Sequence, residues 1–144
     1  MQGMTSIVKT VTRLVVGVIF IYGIYIILHG HLTPGGGFAG GAIIAGAFIL
    51  LVLAYGSDML KLKAKEAGSS VMESLAILAF LLMAVVAFFL GTKVFFHNYL
   101  PKGIIGDLIS AGVIPLYNIA VGIEVAAALF TIFLALVIFK EESK

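Results

Sequence analysis

The chain contains no cysteine, which excludes disulfides, thiolate zinc sites and cysteine-ligated iron–sulfur clusters from within it. Any electron transfer belongs to other polypeptides. Charge is scarce, with Asp, Glu, Lys and Arg together making 11% of the residues. The formal net charge of +2 comes from scattered Lys and Arg rather than from a basic face, so no nucleic-acid surface is implied. A long polar stretch is also missing: the longest, over 57–70, is too short to fold alone. Nor is there a carboxylate pair, a nucleophile with a base beside it, or a histidine constellation for a metal. A self-contained enzyme, a metal site and a resident cofactor are therefore not expected.

What the chain does have is apolar length. Hydrophobic residues make up 62% of its 144 residues, and runs of about twenty apolar residues recur, more than a soluble domain of this size can bury. The expected fold is an all-α integral membrane protein, a single domain of four transmembrane helices over about 11–28, 38–55, 75–96 and 114–139. Eighteen helical residues cover roughly 27 Å, close to the thickness of the hydrocarbon layer. The first run follows a basic start, but it is long and no small-residue cleavage site follows it, so it reads as a retained helix rather than a signal peptide.

The distribution of basic residues orients the chain. With both termini inside, the inner side holds Lys9, Arg13, Lys61, Lys63, Lys65, Lys140 and Lys144, while the outer side holds Lys93 and Lys102. Cytoplasmic segments carry the excess of Lys and Arg, so this favours N-in, C-in. Two outward loops follow, one around His31 and one over 97–110.

The first of these loops leads into a glycine cluster. It reads His29-Gly30-His31-Leu32-Thr33-Pro34-Gly35-Gly36-Gly37-Phe38-Ala39-Gly40-Gly41. Each glycine costs a helix about 1 kcal/mol relative to alanine, so a cluster this dense calls for close backbone approach or an irregular turn. Pro34 suits a helix's first turn and Thr33 suits the N-cap before it, which places the start of the second helix near Pro34. Gly35 to Gly40 matches G-x-G-x-x-G literally, but a dinucleotide site also needs a strand and a βαβ unit, and no Lys-Ser or Lys-Thr follows for a Walker A loop. Nucleotide binding is excluded.

Two readings of the cluster stay open. In one, Gly36/Gly40, Gly37/Gly41 and Ala42/Gly46 are small-xxx-small pairs that let a neighbouring helix approach. In the other, partly unwound backbone beside a polar cavity acts on an ion pathway. His29 and His31 lie at the outer interface, where solvation or capping competes with proton relay.

Glu124 is the second informative residue. A charge at mid-membrane costs on the order of 2.5 to 3.5 kcal/mol, so it should face protein or water. Helical spacing puts Tyr117, Val121, Glu124, Ala128, Thr131 and Ala135 on one side, and Ile119, Ile123, Ala126, Phe130, Phe133 and Val137 on another. The first side, small and polar, is the expected protein-facing stripe. Glu124 then either relays a cation or proton or makes a structural hydrogen bond. Lys93 is expected to snorkel outward, Glu73 to complement the dipole at the start of the third span, and Asp107 to sit in a turn where it could attract cations.

Pro34 to Gly41, together with Gly106-Asp107, Pro115-Leu116-Tyr117-Asn118 and Val121-Gly122-Ile123-Glu124-Val125, resembles the MnhB (MrpB) component of the Mrp (Mnh) type multisubunit sodium/proton antiporters. The likeness spans almost the whole chain. It implies an accessory subunit of the cell membrane, packed among other hydrophobic subunits, in an assembly exchanging Na⁺ for H⁺. The same subunit type occurs in Mrp-related membrane-bound hydrogenases and sulfur reductases, so an ion-pumping respiratory complex is the alternative setting. A purely structural adaptor and a freestanding small transporter are further alternatives. Under the leading reading the pathway residues are Glu124, Asp107 and His31, and the packing motif is Pro34, Gly35, Gly36, Gly37, Gly40 and Gly41.

Charge counting generates a direct test of topology. Tags at the two termini are expected to be reachable only from the cytoplasmic side in sealed vesicles, and an externally accessible C-terminus overturns the N-in, C-in assignment.

Overall fold

The structure is a computed structural model that describes residues 3–56, 62–92 and 94–142. Four α-helices account for most of it, with no strand among the described residues. They are α1 (Ser6–Leu28), α2 (Gly36–Tyr55), α3 (Leu62–Ala87) and α4 (Ile114–Glu142). A π-helical turn, Phe88–Thr92, continues α3. All four are long and apolar enough to cross a bilayer.

Hydropathy marks only the membrane-embedded part of a helix, so the helices and the expected spans differ at their ends. The largest difference is in α3, which begins at Leu62 because Lys63-Ala64-Lys65-Glu66-Ala67 are mostly strong helix formers that continue the helix N-terminal to its apolar run. Its spanning stretch is Lys65–Leu90. Glu73 consequently lies about three turns inside the helix, not at its start. Lys61, Lys93 and Lys144 lie outside the described residues.

The α1–α2 hairpin also starts differently from expectation. Thr33 does not cap α2; its hydroxyl donates to the carbonyl of His29 at 3.1 Å, and its own N–H donates to the same oxygen at 2.9 Å. It closes the end of α1 instead. The N-cap of α2 is Gly35, with φ 115°, and helix proper begins at Gly36 rather than Pro34. Only glycine takes that φ without strain, so the turn out of α1 needs Gly35 itself. Pro115 sits in the first turn of α4, where its missing N–H goes unneeded.

Packing is set by α2 and α4, which form the centre. The helix α2 lies between α1 and α4, and α4 lies between α2 and α3, while α1 and α3 do not meet. Backbone-to-backbone approach fixes this order. A side chain at Gly37 would collide with the carbonyl oxygen of Asn118, and a Cβ at Gly41 would stand 2.5 Å from the carbonyl oxygen of Gly122. On the opposite face, a Cβ at Gly40 would stand 2.8 Å from the carbonyl oxygen of Gly23 in α1. Glycines of α2 thus serve two partners. Gly46, by contrast, has nothing within 4 Å of where a Cβ would be, so the pair Ala42/Gly46 makes no comparable contact.

Toward the C-terminal ends of α2 and α4, Val52 of α2 and Leu134 and Val137 of α4 form a buried cluster, flanked by Phe130, Phe133 and Ile138. Both sides of α4 therefore bury residues, and the expectation of a single protein-facing stripe is corrected. Ala135, placed on that stripe, is exposed, whereas Val137 from the other side is buried. A helix in the middle of a bundle has two faces to cover.

The glycine contacts make a paired prediction. Gly41→Ala is expected to lower stability by about 1–3 kcal/mol through overpacking against backbone. Gly46→Ala, with open space beside it, is expected to raise it by up to about 1 kcal/mol through helix propensity. Denaturant unfolding in detergent micelles measures both, and equal effects overturn the assignment of Gly41 as a helix contact.

Candidate functional site

Glu124 lies ten residues into α4, which begins at Ile114, so it sits about 15 Å along the axis, within the stretch Ile114–Lys140 that is long and apolar enough to span a membrane. Its side chain is half-buried and faces α3. There it lines a cavity of about 210 Å³ together with Ala120 and Val121 of α4 and Ala76, Ile77 and Phe80 of α3. Ala76 and Ala120 are both buried, and their short side chains are what leaves this space between the helices. A void of this size beside a carboxylate is large enough for several waters, each of which occupies about 30 Å³ in the liquid.

The seam between α3 and α4 carries more polarity than the residue pattern alone suggests. Ser69 of α3 donates to the carbonyl of Ala127 at 2.9 Å, and Thr131 donates to that same oxygen at 2.9 Å. Ser69, Glu73, Ala76 and Phe80 recur at the three- and four-residue spacing of one helix face. Since Ser69 bonds to α4 and Ala76 and Phe80 line the cavity, half-buried Glu73 falls on the same face between them. A second intramembrane carboxylate thus faces the helix that carries Glu124. Its signal was available in the sequence as the i, i+4, i+7 pattern, but hydropathy placed the start of the span beside it and hid its depth.

Tyr117 lies two turns before Glu124 in α4. Phe80 meets its ring edge-on and Phe96 lies tilted to it, with centroids 4.9 and 5.8 Å away. Its hydroxyl is buried with no hydrogen-bond partner. Phe96 itself holds φ 60°, an uncommon conformation for a bulky residue.

The other two pathway candidates lie together and apart from Glu124. His31 Nε2 donates to the main-chain carbonyl of Asp107 at 3.3 Å, which ties the α1–α2 hairpin to the loop before α4. Neither residue lines the cavity of Glu124. Asp107 is exposed in a turn that Ser110 closes by donating to the same carbonyl at 2.6 Å. His31 Nδ1 is buried and unpartnered, as is Asn118 Nδ2, which lies against Gly30. His29 caps the end of α1, with its Nδ1 3.0 Å from the carbonyl of Tyr25. Among the described residues, no three His, Cys, Asp or Glu side chains gather as a metal site would require.

A family model for a domain related to the MnhB subunit of Na⁺/H⁺ antiporters matches residues 7–131. The chain belongs to the MnhB family. Staphylococcus aureus chains named as antiporter subunit mnhB2 are 31% identical over 132 residues, covering 90% of this chain and 92% of theirs. An uncharacterised protein of Methanocaldococcus jannaschii is 43% identical over 114 residues, covering 76% of this chain. A subunit of the membrane-bound sulfane sulfur reductase, an archaeal respiratory membrane complex, superposes with a TM-score of 0.74 at 34% identity over 90% of this chain. The chain spans 43% of the length of the M. jannaschii relative and 56% of the reductase chain. Members of this family thus occur both under antiporter-subunit names and within a respiratory membrane complex, and this chain is a multi-pass membrane protein of that type.

The unpartnered tyrosine hydroxyl makes a structural prediction. Leaving a buried hydroxyl unsatisfied costs about 1–3 kcal/mol, so Tyr117→Phe is expected to maintain or raise stability toward denaturant in micelles. A clear loss shows instead that the hydroxyl has a partner, such as an ordered water, in the membrane.

Proposed function

We propose that this chain is an accessory, non-catalytic subunit of a sodium/proton antiport module in the cell membrane, and that it supports the cation pathway through the α3–α4 seam. The observation that supports this reading is the cavity between α3 and α4, which Glu124 lines. A carboxylate there either holds a cation or passes a proton, and in both cases adjacent water lowers the cost of its charge. Glu73, on the facing helix, is the second acidic group of the route. No cofactor of its own is needed, since Na⁺ and H⁺ are cargo. His31 and Asp107 form the outward end of the module, where an exposed acid raises the local concentration of cations.

Other hydrophobic subunits complete the assembly, and the exposed apolar faces of α1 and α3 are available to them. Similarity to a subunit of a respiratory membrane complex supports a second setting, in which a redox reaction in other subunits drives the same ion movement.

In the assembled complex, Glu124→Gln is expected to lower Na⁺/H⁺ exchange in inverted vesicles by tenfold or more, about 1.4 kcal/mol or above, with subunit content on native gels unchanged. Glu73→Gln is expected to lower exchange as well, and the double substitution to add less than the product of the single effects because both act on one route. Wild-type exchange by an intact Glu124→Gln complex removes this residue from the pathway.

A further inference from the structure

Because α1 and α3 do not meet, a groove remains between them, floored by α4 and walled at one side by α2. Its volume is about 820 Å³, and its lining includes Phe20 and Ile24 of α1, Phe48 of α2, Met72 of α3, and Ile123 and Ala126 of α4. The lining is almost entirely apolar. Among the described residues one charged side chain lines it, Lys65, which is exposed and marks the first residue of the spanning stretch of α3. No carboxylate among the described residues lines the groove.

The Lys65 end favours an anion: the first turn of α3 has no acidic residue, Lys65 brings a positive charge to the groove, and Glu66, the next residue of the helix, is not among the residues that line it. An apolar channel with cationic character at one end matches an amphiphile with a negative head. The volume lies within the range of sites for small ligands, about 300–1,000 Å³, and accommodates acyl chain.

We propose that the groove between α1 and α3 is a binding site for an anionic phospholipid, with acyl chain along Ile24, Phe48, Ile123 and Ala126 and phosphate on Lys65. Under the orientation set by basic residues, Lys65 lies in the cytoplasmic half of the bilayer, the leaflet whose anionic lipids attract Lys and Arg. The lipid fills the bundle where two helices fail to touch.

The test needs no ion-transport readout and so stands apart from the antiport assignment. The complex containing this chain, with a photoreactive residue at Ile123, is reconstituted in vesicles of phosphatidylcholine and phosphatidylglycerol. Ile123 is 40% exposed and lines the groove; Leu136 is exposed outside it and serves as the reference position. Photolysis at Ile123 is expected to capture phosphatidylglycerol about five-fold above the ratio captured at Leu136, the effect of one basic contact. Lys65→Gln is expected to abolish the enrichment and Lys65→Arg to keep it, and Ala126→Phe to reduce lipid of both classes by filling the floor. Capture of another polypeptide at Ile123 assigns the groove to a helix of a neighbouring protein and overturns the proposal. So does capture of lipid in the bulk ratio, or an enrichment that survives Lys65→Gln.

Discussion

The rest of the structure depends on one approach, that of α2 to α4 at backbone distance. Without side chains at Gly37 and Gly41, the carbonyl oxygens of Asn118 and Gly122 come close to the α2 backbone. In a membrane the hydrophobic effect does not drive helices together, so dispersion contacts between closely approached backbones supply the attraction. The approach makes α4 central and gives it a second face to fill. That face receives α3 and with it the seam that holds Glu124.

The polar features of the molecule are arranged around this centre. Along the α3–α4 seam, Ser69 and Thr131 both use the carbonyl of Ala127, Glu73 and Glu124 face one another's helices, and the small Ala76 and Ala120 leave the cavity between them. Two turns of α4 before Glu124, Tyr117 meets Phe80 of α3 and Phe96. On the other side of α4, where α1 turns away from α3, the lining is apolar and wide. One helix therefore presents a polar seam to one neighbour and the floor of an oily groove to the opposite gap.

Much of the fold was legible from residue order. Four apolar runs separated by short polar segments admit few arrangements other than a four-helix membrane domain, because every backbone polar group in the hydrocarbon layer must be satisfied within its own helix. The glycine cluster announced a close contact for the same reason that it weakens an isolated helix. Yet its two faces were not distinguishable: Gly40 meets α1 while Gly37 and Gly41 meet α4, and Gly46, identical in kind, meets nothing. Thr33 likewise had the chemistry of an N-cap but serves the preceding helix, because the turn at Gly35 reverses the chain before α2 begins. Glu124 was conspicuous as an acid in an apolar run. Glu73 was not, since the hydropathy window ended beside it and helical continuity back to Leu62 comes from Ala, Lys and Glu rather than from apolar residues.

By itself, then, the sequence determined the solvent, the helix count and the family, all properties of composition and local pattern. Free energy of transfer into lipid sums along a segment, and helix formation there is compulsory, so neither requires knowledge of what lies beside the segment. Only the tertiary structure decided which glycine touches which helix, that Glu73 shares a seam with Glu124 while His31 and Asp107 do not, and that α1 and α3 stay apart with Lys65 at the gap. Those are relations between segments distant in sequence, fixed by the shapes of helix surfaces packing at short range, and periodicity within one segment carries no record of its neighbour.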